Sequence, residues 1–313
     1  MEIVRLGQGV DATGKFDPEA IERTLTATRK YAEVIAAKGA EKVRFCATSA
    51  TRDATNRDLF IDGVREILGI EPEVIPGTEE AALSFMGATK GLTHAEKPFL
   101  VVDIGGGSTE FVLGGEKVDF AKSVNIGCVR MAERHFKKQP PSAESIQSAI
   151  RDIDEAIADA AYIVPIKESK TLIAVAGTAT TVAAAALGLN EYDRHAIHLS
   201  RIPTAKVIEI AQMFALMSRE EIAALGYMHP GRVDVITSGA LILSRVLIAT
   251  GATEFVASES DILDGIAWGL TTVIEPLPEV IEDDSEEHEE IIEGIDEGGE
   301  DVFDEMTQEL DED

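Results

Sequence analysis

Phe99-Leu100-Val101-Val102-Asp103-Ile104 runs into Gly105-Gly106-Gly107-Ser108-Thr109 and leaves through Glu110-Phe111-Val112-Leu113 to Gly114-Gly115. A near-continuous apolar run ended by a turn signal predicts a strand buried on both faces. The second apolar run after the glycines predicts its hairpin partner. Glycines carry no Cβ, so their backbone N–H groups can turn toward an anion and approach it closely, and Ser108 and Thr109 add hydroxyl donors. Asp103 and Glu110, one at the end of each strand, are placed to hold a hard divalent cation, which prefers oxygen ligands and shares them with phosphate. No Gly-Lys-Ser/Thr follows, so this is not a Walker loop, and a strand rather than a helix comes next, unlike a dinucleotide fingerprint. The plain alternative is a tight hairpin without a ligand, which leaves the two flanking acids unexplained.

Upstream, helix and strand alternate. Asp17-Pro18 is an N-cap followed by proline at the first helical position, and Ile21, Leu25, Ala32 and Ile35 recur at helical spacing until Gly39. A strand is predicted over 42–47, a helix capped by Asn56 and ending at Gly69, a strand over 73–75, and a helix from Thr78-Glu79-Glu80 to Gly91. Downstream come a strand over 118–124, a helix from about Met131, a long helix from Ser142 to Ile163 and a strand over 171–176. Helices then follow near 203–215, 218–224 and 235–249, with a strand over 254–257 and a helix over 261–270. Alternation of this kind predicts an α/β protein with a layered core. The seam between two units is expected near residues 125–140, giving a first unit over 1–125 and a second over 126–274. A second glycine turn, Ala176-Gly177-Thr178, joins a strand to a helix N-terminus, where free amides and the helix dipole favour an anion; tight packing explains it equally well.

Charge narrows the functional classes. The chain has 313 residues and a net charge of −29, but 20 of its 57 acids and none of its 28 bases lie in residues 275–313. The preceding body, with 37 acids against 28 bases, is at −9. This excludes general binding to a nucleic-acid backbone. The tail is expected to be disordered because dense like charge opposes collapse; a functional tail would compete with anionic ligands at the site or take up divalent cations weakly. Cys46 and Cys128 have no metal-ligand or disulfide spacing, which suits a reducing cytoplasm. Leu172 to Leu189 is the nearest thing to a membrane span, but Gly177 and three threonines interrupt it, so a buried strand and helix are expected instead.

Several stretches together carry a resemblance: Arg5-Leu6-Gly7, Ala47-Thr48-Ser49-Ala50-Thr51-Arg52, Pro76-Gly77-Thr78-Glu79-Glu80-Ala81, Asp103 to Glu110, Asn125-Ile126-Gly127-Cys128, Gly177-Thr178, and Ser258-Glu259-Ser260-Asp261-Ile262-Leu263-Asp264-Gly265. In this order they resemble the exopolyphosphatase and guanosine pentaphosphate phosphatase (Ppx/GppA) family. The resemblance implies the duplicated actin-like, sugar-kinase-like and Hsp70-like ATPase fold, built from ribonuclease H-like domains. It implies Glu80 as the base that activates water, Asp103 and Glu110 as the Mg²⁺ (or Mn²⁺) site, and Gly105, Gly106, Gly107, Ser108 and Thr109 as the phosphate cradle. Arg52, Gly177 and Thr178 are implied to bind substrate phosphate. Read without the family, Glu80 is simply an acid favoured in the first turn of a helix, and Arg52 has Asp53 and Asp58 as surface partners.

The activity implied is removal of the terminal phosphate of inorganic polyphosphate or guanosine pentaphosphate. The family's first phosphate loop, Asp-x-Gly-Ser-Asn, would lie upstream of Met1. The expectation is therefore a longer natural chain whose first unit here lacks its opening strand, the alternative being a non-catalytic paralogue that binds polyphosphate or an alarmone. A homodimer is compatible with the sequence, and no residue in it discriminates oligomeric states.

Overall fold

A computed structural model describes residues 2–92 and 95–270; the acidic tail, with the expectations attached to it, lies outside them. The first lobe contains α1 (Val10–Thr13), α2 (Pro18–Lys38), β1 (Cys46–Ala47), α3 (Ser49–Asp53), α4 (Asp58–Leu68), β2 (Glu73–Val74) and α5 (Gly77–Thr89). Helix α2 starts and stops as predicted: the Asp17 carboxylate accepts from the amides of Glu19 and Ala20, and Gly39 closes the helix at φ 62°. Asn56 does not cap α4. Its side chain accepts from the Phe16 amide and donates to the Phe16 carbonyl, and Arg57 takes the cap position. The predicted strand over 42–47 contracts to two residues, paired in parallel with β2. Val10, Phe16, Ile21, Leu25, Ala47, Ala54, Phe60 and Val64 form this lobe's own core.

The second lobe is built on β3 (Phe99–Ile104), β4 (Thr109–Gly114) and β5 (Val118–Val124), followed by α6 (Cys128–His135), α7 (Ala143–Ile163), β6 (Thr171–Val175) and α8 (Ala176–Ala186). It continues with α9 (Arg194–Ile197), β7 (Arg201–Pro203), α10 (Thr204–Leu216), α11 (Arg219–Ala223), α12 (Ile236–Thr250), β8 (Glu254–Ala257) and α13 (Ile262–Gly269). The strands make one mixed sheet in the order β5-β4-β3-β6-β8-β7. Strands β3, β6 and β8 are parallel and β4 is antiparallel to β3 and β5, the arrangement expected of a ribonuclease H-like unit. Among the described residues the first lobe contributes the short β1–β2 pair.

The seam expected at 125–140 is corrected by this sheet. Strand β3 pairs with β4 on one side and β6 on the other, so a division between residues 125 and 126 would cut through one hydrogen-bonded sheet and one core. The glycine hairpin belongs with the second unit, and α5 is the element that leads from one lobe to the other. Sequence alternation of helix and strand cannot show this, because it does not say which strands pair.

The pleat explains where the acids go. Successive strand residues face opposite sides: Leu100, Val102 and Ile104 enter the core with α7 and α12, while Phe99 and Val101 pack with Ala81, Phe85 and Ala88 of α5. Asp103 continues the second series and so faces α5. Glu110, its direct partner across the hairpin, shares that face. Helix α13 crosses α5 at two glycines: a Cβ on Gly265 would sit 2.0 Å from the Leu83 carbonyl oxygen, and one on Gly87 would sit 1.9 Å from that of Asp261. Gly265→Ala is expected to lower stability by about 1–3 kcal/mol, the usual cost of overpacking, read by urea unfolding; a change under about 0.5 kcal/mol, typical of a harmless surface change, would contradict this crossing.

The stretch Leu172–Leu189 is the predicted buried strand and helix, and among the described residues no helix is long and apolar enough to cross a membrane.

Candidate active site

A cavity of about 370 Å³ lies between the lobes, lined by Glu80, the loop Gly105 to Ser108 and the turn Ala176-Gly177-Thr178. Residues predicted from three separate stretches thus meet in one place. Arg5, Arg130 and Arg232 line it as well, beside an apolar wall that includes Leu6, Val10, Val235 and Ile236. Asp11, Glu80 and Glu133 line it too, and Arg130 and Arg5 are paired with carboxylates, so the wall mixes both signs and the Arg232 guanidinium is its cation beside the second glycine turn.

Glu80 sits in the first turn of α5 and is 8% exposed. One of its oxygens accepts from Arg52 Nη1 at 2.9 Å, and the same nitrogen donates to the Ile75 carbonyl at 2.8 Å. Burial raises the Glu80 pKa above that of an ordinary glutamate, and Arg52 opposes the shift. Burial and the Arg52 contact set it apart from an exposed acid at a helix start. Arg52 does not pair with Asp53 or Asp58 and does not line the main cavity; its guanidinium is engaged by Glu80. Glu79, the neighbouring residue, turns away to Arg44.

Asp103 and Glu110 lie under the loop, 6% and 1% exposed. Asp103 accepts from the Ser84 hydroxyl at 2.5 Å, and one Glu110 oxygen accepts from Ser108 and Ser123, each at 2.7 Å. Burial, then the Glu80 and Asp261 charges, push the Asp103 pKa up to about 7 despite the Ser84 bond. Burial, then Glu80 and Asp103, push Glu110 well above its usual range. Two hydroxyl-supported acids, held together against their mutual repulsion, form a donor set that suits one hard cation. Among the described residues no three His, Cys, Asp or Glu side chains converge as a metal cage. A divalent ion here would complete its shell with phosphate and water oxygens, as Mg²⁺ usually does.

The loop differs in detail from the expectation. None of Gly105, Gly106 or Gly107 has positive φ; a Cβ on Gly107 would lie 2.9 Å from Ser49 Oγ, which would have to shift, whereas one on Gly127 would lie 2.3 Å from the Gly106 carbonyl, so the close backbone approach is at 127. Thr109 is fully buried beneath the cavity and donates to the Ile126 carbonyl, so it braces the hairpin rather than facing an anion.

At the second turn Ala176 has φ 65°, a conformation costly for a residue with a side chain and found mainly where function demands it. A Cβ on Gly177 would lie 2.4–2.5 Å from the guanidinium of Arg232. Arg232 is 9% exposed and donates to Thr181 at 3.0 Å. Gly177→Ala is expected to displace Arg232 and raise KM for an anionic substrate about tenfold, the loss of roughly 1.5 kcal/mol for one charge-assisted contact. Steady-state kinetics would check it, and an unchanged KM would count against a ligand role for Arg232.

Sequence reasoning assigns no role to Arg5, Arg130, Arg232, Ser84, Ser123 or Asp261, although Arg5 and Asp261 lie in stretches that carry the family resemblance. Ser84 was within reach: it lies four residues after Glu80, on the same helix face. The arginines carry no local signal, because only the tertiary fold brings them to the cavity.

A buried carboxylate, a glycine loop and three arginines around one interlobe cavity define a phosphate-handling α/β protein. The chain belongs to the Ppx/GppA phosphatase family, whose model matches residues 1–267. It is similar to exopolyphosphatase 2 of Mycobacterium tuberculosis, 48% identical over 277 residues that span 86% of this chain and 87% of that protein. A crystal structure of an exopolyphosphatase-like protein superposes with a TM-score of 0.84 at 44% identity, covering 86% of this chain and 89% of the other. A guanosine-5'-triphosphate,3'-diphosphate pyrophosphatase of Vibrio atlanticus is 34% identical over 279 residues, 85% of this chain and 52% of that protein.

Proposed function

We propose that the protein hydrolyses the terminal phosphoanhydride of inorganic polyphosphate and releases orthophosphate. The observation that carries this is Glu80: a buried carboxylate with a raised pKa, oriented by Arg52, opening on the same cavity as the glycine loop. Glu80 would hold the attacking water and take its proton. The amides of the loop, with Ser108, would bind the terminal phosphoryl oxygens, and Arg232 with the Gly177-Thr178 turn would hold the next phosphates. Asp103 and Glu110 would hold Mg²⁺ or Mn²⁺, which when bound supplies positive charge to offset that of the phosphate oxygens. Phosphoryl transfer asks mainly for positioning and charge stabilisation, and these residues offer both.

A second reading is 5'-phosphohydrolysis of guanosine pentaphosphate. It is favoured by the Vibrio relative and by the cavity's apolar wall, which polyphosphate does not need and a nucleoside could use. Orthophosphate release from the two substrates, measured in parallel with Mg²⁺, separates the readings. A higher kcat/KM on polyphosphate is expected; the reverse order supports the second, and release from neither contradicts both.

A further inference from the structure

The glycine loop does not hold itself in place. Three successive carbonyls are tied to α6: Gly105 accepts from the Cys128 amide at 2.9 Å, and Gly106 from the amides of Val129 and Arg130 at 2.9 and 3.1 Å. Gly107 accepts from Arg130 Nε at 2.7 Å. In a trans peptide the carbonyl of one residue and the N–H of the next point to opposite sides. Fixing the carbonyls of 105, 106 and 107 toward α6 therefore turns the N–H groups of 106, 107 and 108 to the other face.

Arg130 does more than complete this row. Its other two nitrogens donate to first-lobe carboxylates, Asp11 and Asp53. Asp53 is the last residue of α3, and its neighbour Arg52 holds Glu80. One guanidinium thus links the phosphate loop of the second lobe to the helix that orients the base. Two further contacts from α6 to the first lobe flank it: Glu133 accepts from the Gly9 amide at 2.9 and 3.1 Å, and Arg134 donates to Asp11 at 2.7 and 2.9 Å.

We propose that Arg130 is a positioning residue that sets the glycine loop against Glu80, so that loop and base are in register only when the lobes are clasped through Asp11 and Asp53. This rests on the hydrolytic reading above for its kinetic consequence, but not for its structural one. Arg130→Lys keeps the charge and loses the fork that serves three acceptors at once. It is expected to lower kcat by on the order of 100-fold, the usual cost of a small misplacement of reacting groups, with a smaller change in KM. Methylguanidine should restore part of the activity of Arg130→Ala, and Asp53→Asn should give a milder loss of about tenfold, as expected for one of three contacts. Hydrogen exchange at the amides of Cys128 and Val129 should quicken in Arg130→Lys while that of β6 is unchanged. A kcat within twofold of wild type, or unchanged exchange at Cys128 and Val129, overturns the proposal. If the wild-type protein releases no phosphate, the hydrolytic reading fails and the exchange comparison alone decides the clasp.

Discussion

Glu80→Gln is expected to lower kcat for phosphate release by roughly 10²–10⁴-fold, the contribution of a positioned general base, while KM changes little. The carbonyl oxygen of the substituted side chain can still accept from Arg52, so the helix end and the Arg52 contact to the Ile75 carbonyl should persist and the melting temperature should stay close to wild type. What is lost is the ability to take a proton from water. The pH profile gives a second check. Burial raises the pKa of Glu80, so activity should fall with acidification through a limb lying above the ordinary glutamate range, and that limb should be absent from any residual activity of the variant. Turnover within a few-fold of wild type would remove Glu80 from the base role and return it to the helix-dipole explanation that the sequence alone allowed.

Glu110→Gln is expected to move stability and activity in opposite directions. Glu110 and Asp103 face each other across the hairpin, nearly inaccessible to water, and ionising either is opposed by burial and by neighbouring acids. Like charges directly opposite on a sheet are destabilising, and a fold retains such an arrangement where a site requires it. Removing one charge should stabilise the metal-free protein by about 1 kcal/mol, or roughly 2–4 °C in melting temperature for a chain of this size. If these acids hold Mg²⁺, the ion should stabilise the wild type by about 2.7 kcal/mol at 100 times its dissociation constant, and the variant should lose that increment. Phosphate release should fall at least about 100-fold, as when one charge-stabilising group is removed. Calorimetry with and without Mg²⁺ measures the first two effects. A destabilised metal-free variant that still gains the full Mg²⁺ increment would place the ion elsewhere.

Much of the site was legible because its chemistry is local in sequence. The run from Asp103 to Glu110 shows its own hairpin, and strand alternation then forces both acids onto one face. Glu80 was legible only through the family, since an acid in a first helical turn has an ordinary explanation. Its link to Arg52 depends on the short helix α3, which the sequence does not announce: five residues without a capping side chain give too weak a periodic signal. The domain seam was misplaced for a related reason. Parallel pairing of β3 with β6 joins residues some 70 positions apart, and no local pattern encodes that choice. The arginines of the cavity were hidden because residues 5, 130 and 232 are far apart in sequence and only the tertiary fold brings them to one wall.

If water directed by Glu80 attacks the terminal phosphorus of a polyphosphate chain, the new oxygen must leave in orthophosphate. Hydrolysis in ¹⁸O-labelled water, followed by mass analysis of the products under single-turnover conditions, shows where it goes. One labelled oxygen is expected in each released orthophosphate, none in the shortened chain, and no labelled product from Glu80→Gln on the same timescale. Label in the shortened chain, release of unlabelled orthophosphate, or equal labelling by the variant would contradict that attack.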